Sequence, residues 1–141
     1  MAIPNVDINY LAVLVSAIVS IIIGSLWYSP LLFGNAWMKA GGISMKEMEK
    51  AKKKGMGRLY FAAFIGSLVM AFVLGIFIKL VGIGSFLEGM QIGFWLWLGF
   101  IVPVLLGSVL WEGRSVKYYL INVSYQLVNL ALMGGILAVL G

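Results

Sequence analysis

The chain has 141 residues, of which 62% are hydrophobic and 11% are charged, and its formal net charge is +5. Soluble domains carry about 25% charged residues, so this composition excludes an ordinary soluble fold and predicts one membrane domain over residues 1–141. The sequence has no cysteine and no histidine, which excludes disulfides, thiol nucleophiles, nearly all zinc sites and the usual general base. We therefore expect no enzyme, no cofactor and no metal site.

Four stretches without a single charged residue predict the membrane spans. Each has at least 20 residues, the length that a helix needs to cross a hydrocarbon layer about 30 Å thick. A helix also pairs its own backbone groups, as a lipid environment demands. The predicted fold class is all-α: a polytopic membrane protein with four transmembrane helices in an up-down bundle. The spans are expected at about 8–28, 59–81, 86–111 and 116–140.

The first span ends in aromatic residues and a proline. Trp27 and Tyr28 belong to the residue types that concentrate at the headgroup level of membranes. Ser29-Pro30 is typical of an N-cap followed by proline at the first helical position. We therefore expect a short helix over residues 31–38. Its apolar and aromatic side chains predict that it lies in the membrane interface rather than crossing again.

Basic residues concentrate between the first and second spans. Residues 39–58 contain seven of the ten lysine and arginine residues. Within them, Ser44-x-x-Glu47 is a capping-box pattern and predicts a short helix. Membrane proteins keep such positive segments on the cytoplasmic side, so we expect residues 39–58 in the cytoplasm and both termini outside. The lysines are also candidates for binding anionic headgroups at that face.

Two further serines predict where the third and fourth spans begin. Ser85-x-x-Glu88 is a second capping box, and Ser115 is a candidate cap for the last span. Pro103 lies in the middle of the third span, where it removes the hydrogen bond to the Gly99 carbonyl and predicts a kink. The short turns between these spans predict antiparallel neighbours.

Small residues at a spacing of four predict close helix packing. The second span carries a ridge of four such residues, and the third carries a GxxxG pair. A ridge of this kind either packs within one subunit or forms the seam of a homo-oligomer, and both interpretations stay open for the second span. The predicted packing residues are Ala63, Ser67, Ala71, Gly75, Gly89 and Gly93.

An amide stripe on the fourth span is the strongest candidate site. Asn122, Gln126 and Asn129 fall on one helix face, with Tyr125 at its edge. Amides are costly against lipid, so they are expected to face the interior, either as hydrogen bonds between helices or as the lining of a polar pocket or pathway. Polar residues of the first and third spans are expected to face them. The candidate polar pocket comprises Asn9, Ser16, Ser20, Gln91, Ser108, Asn122, Tyr125, Gln126 and Asn129.

Two segments of the chain resemble a known family. The run Gly24–Trp37, with its Trp-Tyr-Ser-Pro-x-x-Phe-Gly-x-x-Trp motif, is similar to the signature of domain-of-unknown-function family 1761. Trp111–Arg114, Asn122 and Tyr125 fit the same family. The resemblance implies a small membrane protein, without an established activity, in which both segments form one interfacial patch. The candidate residues of this patch are Trp27, Tyr28, Pro30, Phe33, Trp37, Trp111, Glu112 and Arg114.

Two functions remain as hypotheses. The first is a non-enzymatic protein of the cell membrane that binds or transports a small ligand or lipid as a homo-oligomer. The alternative is an accessory or scaffold subunit that packs against another membrane protein through its small-residue ridges. For the first hypothesis we expect membrane lipids and further copies of the chain as partners, and no nucleic acid.

Overall fold

The structure is a computed structural model that describes residues 6–141, and helices are the only regular elements in this part of the chain. A short π-helical segment, Trp97–Ile101, interrupts the third predicted span. The α-helices are α1 Tyr10–Trp27, α2 Gly34–Gly41, α3 Met45–Lys54, α4 Met56–Val81, α5 Phe86–Leu96, α6 Val102–Leu105, α7 Gly107–Leu110 and α8 Val116–Leu140. The predicted all-α fold class is confirmed.

Within residues 6–141, four helical segments are long and apolar enough to cross a membrane: Tyr10–Trp27, Met56–Val81, Phe86–Leu110 and Val116–Leu140. Their boundaries differ from the predicted ones by at most three residues. The largest difference is at the start of α4. There Gly55, with a φ of 100°, turns the chain, and the helix begins directly after it.

Three of the four predicted serine caps are confirmed, whereas Ser29 caps no helix, because α2 begins only at Gly34 and Ser29 Oγ donates to the Leu26 carbonyl. Ser44 Oγ accepts a hydrogen bond from the Glu47 backbone N–H at 3.2 Å, and Ser85 Oγ accepts one from the Glu88 N–H at 3.2 Å. Ser115 Oγ caps α8 in the same way. Each cap satisfies a backbone N–H that has no partner within its helix, and this fixes where α3, α5 and α8 begin.

The third span is irregular around the predicted proline kink. Pro103 lies in the short helix α6 and cannot donate a backbone hydrogen bond. The irregularity starts earlier than predicted, in the π-helical segment at Trp97–Ile101. Trp97 Nε1 donates to the Val123 carbonyl at 2.7 Å, and Tyr119 OH donates to the Val102 carbonyl at 2.9 Å. Two aromatic side chains therefore fasten this segment to α8.

α8 is the central helix, because it contacts α1, α2, α4 and every part of the third span. In the apolar window of α8, 44% of the residues are buried, against 6% in the third span. The third span is therefore the most exposed of the four. The hydrophobic core consists of Ala12, Val13, Ala71, Leu74, Ile78, Leu130, Met133, Leu137 and Ala138.

Hydrogen bonds at both ends of α1 show its direction relative to α8. Asn9, the N-cap of α1, donates to the Leu140 carbonyl at the end of α8, at 2.7 Å. Trp27, at the other end of α1, donates from Nε1 to the Ile121 carbonyl at 3.1 Å. α1 and α8 are therefore antiparallel. The side of a membrane on which each end lies stays a prediction.

Glycines bring α5 and α8 into backbone contact. A Cβ atom on Gly89 would overlap the carbonyl oxygen of Gly134, and one on Gly93 would overlap that of Leu130. Only glycine permits this approach. The GxxxG pair of the third span therefore packs within the chain, against a glycine of α8 that sequence reasoning did not single out.

The small-residue ridge of α4 is buried at one end only. Ala71 and Gly75 are buried, Ser67 is half-buried and Ala63 is exposed. Since α1 and α8 contact α4, the buried end of the ridge packs within the chain. The exposed end is the part on which a homo-oligomer seam would have to lie.

Candidate functional site

The chain between α1 and α2 forms a tight turn. Phe33 N–H donates to the Trp27 carbonyl at 2.9 Å, and Gly34 N–H donates to the Ser29 carbonyl at 2.9 Å. These bonds use the residues that were predicted to begin the short helix, so α2 starts three residues later, at Gly34. A side chain on Gly34 would overlap the Tyr28 carbonyl oxygen. The turn therefore requires a glycine there.

Six aromatic side chains pack together where the end of α1, α2 and the start of α8 meet, and we call them the aromatic cluster. Its members are Trp27, Tyr28, Phe33, Trp37, Tyr118 and Tyr125. Their neighbouring centroids lie between 4.7 Å, for Trp27–Phe33, and 6.3 Å, for Trp27–Tyr125, which is the range of favourable aromatic pairs. Sequence reasoning missed Tyr118. Tyr118 lies four residues before Asn122 and seven before Tyr125, so it falls on the same helix face, and this spacing could have identified it.

Tyr28 links the aromatic cluster to the amide stripe. Its OH donates to Asn122 Oδ1 at 2.6 Å, and its ring lies edge-on against Trp37 and Tyr125. Tyr28 follows the last residue of α1. Burial raises the pKa of its phenol above the ordinary tyrosine value, and the neighbouring Tyr125 and Tyr118 add to this. The phenol is therefore protonated at neutral pH and acts as a hydrogen-bond donor.

The two tryptophans of the cluster differ in their hydrogen bonding. The indole N–H of Trp27 donates to the Ile121 carbonyl. The indole N–H of Trp37 is buried and has no hydrogen-bond partner among residues 6–141. The Trp37 ring stacks on Tyr118 at 6.0 Å. Within the described chain, ring packing holds Trp37 in place.

The segment before α8 holds the end of α2. Arg114 Nη1 donates to the Gly41 carbonyl at 2.7 Å, and Ser115 Oγ donates to the Ala40 carbonyl at 3.0 Å. The Arg114 guanidinium also lies 5.2 Å from the ring centre of Tyr118, a cation–π geometry. The last carbonyls of a helix have no partner within it. These two side chains supply partners for α2.

Four residues of the predicted interfacial patch are not members of the aromatic cluster: Arg114 contacts it through Tyr118, and the other three lie on the surface. Trp111 is 87% exposed, and Pro30 and Glu112 are exposed as well. Trp111 and Glu112 line a shallow cleft of about 280 Å³ at the end of the third span, together with Ser108. The two motif segments therefore meet through Tyr28 and Arg114 and their neighbours, while Trp111 stays on the surface.

Three hydroxyl groups join α1, α4 and α8 in the interior. Ser20 Oγ lies 3.2 Å from Ser67 Oγ and 3.4 Å from Tyr125 OH. Tyr125 OH also donates to the Ser20 carbonyl at 3.1 Å. A Cβ atom on Gly24 would lie 2.9 Å from the Tyr125 phenol oxygen, so this glycine makes room for the tyrosine. Ser20 and Tyr125, both predicted pocket residues, are thus brought together.

A second polar level lies one helical turn further along α8. Asn129, 4% exposed, donates from Nδ2 to Gln126 Oε1 at 3.4 Å and contacts Met70 Sδ at 3.6 Å. In the part of the chain that the structure describes, Asn129 Oδ1 and Ser16 Oγ are buried without a hydrogen-bond partner. Ser16 lies one turn before Ser20 on α1. Ser20 contacts Tyr125 and the two helices are antiparallel, so the residues one turn further on, Ser16 and Asn129, fall at about the same level.

The remaining predicted pocket residues are elsewhere. Gln91 is exposed, because α5 turns Gly89 and Gly93 towards α8, and a residue midway between them falls on the opposite face. Asn9 is exposed and caps α1. Ser108 lines the cleft at the end of the third span. The structure therefore concentrates the polar interior on α1, α4 and α8.

The chemistry that these groups offer is hydrogen bonding and aromatic packing. The interior oxygens belong to hydroxyl and amide groups, which are neutral at any physiological pH. No cluster of three or more histidine, cysteine, aspartate or glutamate residues suited to a metal ion occurs within residues 6–141. A ligand in the interior would have to be recognised by neutral hydrogen-bonding groups.

This geometry defines the class of the protein. It is an all-helical protein with four helices suited to crossing a membrane, a polar interior, and the aromatic cluster where α1, α2 and α8 meet. The model of a family described as protein of unknown function (DUF1761) matches residues 11–138. The chain belongs to this family, so the resemblance seen in its two motif segments is confirmed. No curated protein and no solved structure matches the chain.

Proposed function

We propose that this protein is a non-enzymatic membrane protein that binds or passes a small neutral ligand between α1, α4 and α8. One observation carries this proposal: Ser16 Oγ and Asn129 Oδ1 are buried at one level without a hydrogen-bond partner among the described residues. Leaving a buried acceptor unpaired costs about 1–3 kcal/mol. Two such atoms at one level of the helices favour a site that a polar molecule occupies.

The surrounding residues suit a small occupant. Ala71 of α4 lies one turn beyond Ser67, which pairs with Ser20. Because α1 and α4 are also in contact, this puts a methyl-sized side chain of α4 near the level of Ser16. Asn129 Oδ1 accepts hydrogen bonds, and the stretches of α1, α4 and α8 around it carry no charged residue, so we take the occupant to be a neutral donor. Water, a small alcohol and urea belong to this class.

The test is a paired measurement of flux and stability in liposomes. Osmotic swelling would be followed with water, glycerol and urea for the wild type, for Asn129→Leu and for empty liposomes. We expect the wild type to exceed empty liposomes, and Asn129→Leu to lose this flux while its melting temperature holds or rises. Gln91→Leu is the matched control, since it removes an exposed amide and should change neither quantity.

A scaffold or accessory subunit is the second candidate. It is favoured by the hydrogen bonds between helices that pair most of the other polar side chains, such as Ser20 with Ser67 and Tyr28 with Asn122. In a scaffold or accessory subunit, the hydrogen bonds of the polar interior would stabilise the fold and bind no ligand. Wild-type flux equal to that of empty liposomes, together with a lower melting temperature for Asn129→Leu, would exclude the ligand pathway and favour the scaffold.

We also propose that the protein acts as a homo-oligomer in the cell membrane. The third span supports this, because 6% of its apolar window is buried within one chain and large side chains such as Trp95 and Phe100 are exposed there. Native mass spectrometry in a mild detergent tests this assembly. A monomer at every protein concentration would exclude it.

A further inference from the structure

A groove of about 600 Å³ opens between α3 and the beginning of α4. The single residue Gly55 joins the two helices, and its φ of 100° bends the chain so that they form the two walls. The lining residues of α3 are three or four positions apart, so they form one face of that helix. The residues that line the groove are Glu47, Lys50, Ala51, Lys54, Gly55, Arg58, Leu59 and Ala62.

The groove attracts anions. Lys50, Lys54 and Arg58 line it against one carboxylate, that of Glu47. The first N–H groups of α4 have no side-chain cap, and the positive end of this helix dipole lies at the same place. The negative end of the α3 dipole lies at Gly55 as well, so the two helix ends offset each other and the preference for anions rests on the three cations.

The same groove changes from charged to apolar along α4. Arg58 is the last charged residue before the uncharged stretch Leu59–Ile78. Leu59, which lines the groove at the start of that stretch, is 56% exposed, and Ala62 in the lining is exposed as well. A span that begins here puts the cations at the headgroup level and the apolar side chains at the level of the acyl chains.

We infer that this groove binds an anionic glycerophospholipid. Its phosphate lies among Lys50, Lys54 and Arg58, and the first part of one acyl chain lies against Leu59 and Ala62. A zwitterionic lipid carries an additional cation that these three residues repel, so the groove selects lipids with a net negative headgroup. This inference is independent of the proposed ligand pathway, because it uses no residue of the polar interior.

Native mass spectrometry of the full chain in mild detergent tests the assignment. Phosphatidylglycerol and phosphatidylcholine with the same acyl chains would be titrated against the wild type and two triple variants. The groove variant is Lys50→Gln, Lys54→Gln and Arg58→Gln. The matched control, Lys46→Gln, Lys52→Gln and Lys53→Gln, removes the same total charge, all of it from α3, without touching the groove lining.

The wild type should prefer phosphatidylglycerol, and the groove variant should lose affinity about 100-fold, or roughly fivefold per cation. The control should lose fivefold or less. The single change Glu47→Gln should tighten binding, which keeps the inference testable should the groove variant fold poorly. Equal losses in both triple variants, or equal binding of the two lipids by the wild type, would overturn it. So would displacement of the lipid by millimolar inorganic phosphate.

Discussion

The phenol of Tyr28 donates a 2.6 Å hydrogen bond to Asn122 Oδ1, 94 residues further along the chain. This bond joins the two motif segments that identify the family, since Tyr28 belongs to the first and Asn122 to the second. It also gives the amide stripe of α8 two parts with different roles. Asn122 is paired at the aromatic cluster, whereas Asn129 carries an unpaired oxygen deeper among the spans, within the described residues.

Tyr28→Phe is expected to destabilise the fold modestly. The change keeps the ring and removes the donor, so Asn122 Oδ1 is left without this partner. Hydrogen bonds between membrane helices contribute about 0.6–2 kcal/mol, and the melting temperature in mild detergent should fall accordingly. Tyr60→Phe is the control, because Tyr60 is exposed on α4. Equal melting temperatures for the two variants would show that the Tyr28–Asn122 bond adds nothing to stability.

Gly93→Ala is expected to be severe despite its small size. The new methyl group would meet the backbone of Leu130, which cannot move aside as a side chain can. Overpacking of this kind costs about 1–3 kcal/mol. Gly66→Ala is the matched control, since a Cβ there meets nothing within 4 Å, and alanine is a better helix former by about 1 kcal/mol. Thermal melting should thus move in opposite directions for the two variants, and a shared direction would contradict the close contact of α5 and α8.

The long elements were predictable because they depend on composition and local patterns. Runs without charge, with the aromatic residues and Pro30 marking the end of the first one, predicted the four spans to within three residues. Ser44, Ser85 and Ser115 marked helix starts correctly, since a capping side chain acts within one turn of its own position. The irregular helix around Pro103 was predictable for the same reason, because proline acts on its own helix. Its extension back to Trp97 was not, since Trp97 is hydrogen-bonded to α8.

The arrangement of the site was only partly predictable, because it depends on how each helix is rotated. Gln91 was expected to face the amide stripe, yet the contact of Gly89 and Gly93 with α8 turns it outward. Trp111 belongs to the family motif but remains 87% exposed. Neither rotation follows from spacing within one helix. Both depend on which neighbouring helix each face meets.

Ala71→Leu and Ala63→Leu should separate the two interpretations of the small-residue ridge. Ala71 is fully buried in the core and Ala63 is exposed. The added bulk at Ala71 should therefore destabilise the fold by about 1–3 kcal/mol, as overpacking typically does, and lower the melting temperature. Ala63→Leu should leave melting unchanged. If the exposed end of the ridge is an oligomer seam, Ala63→Leu should instead lower the oligomer fraction in native mass spectrometry. A stable, fully assembled Ala71→Leu variant would contradict the observed packing.

The orientation in the membrane can be tested with single cysteines, because the chain has none of its own. We expect Lys53→Cys, in the basic connection, to be labelled from the cytoplasmic side only. Gly141→Cys should be labelled only from outside. Three predicted spans separate residue 53 from residue 141, so the two positions should lie on opposite sides. Labelling of both from one side would contradict the four-span topology.

Arg114→Gln is expected to loosen α2 without disturbing α8. The guanidinium donates to the Gly41 carbonyl at the end of α2, where a cation also interacts favourably with the negative end of the helix. Its loss should speed amide hydrogen exchange in α2 by about two- to fivefold, since such contacts are worth about 0.3–1 kcal/mol. Lys117→Gln removes the same charge from an exposed position three residues on and should leave α2 unchanged. The readout is local, so a general loss of stability would appear in α8 as well. Unchanged exchange in α2 of Arg114→Gln would show that Ser115 and the aromatic cluster hold this helix without the arginine.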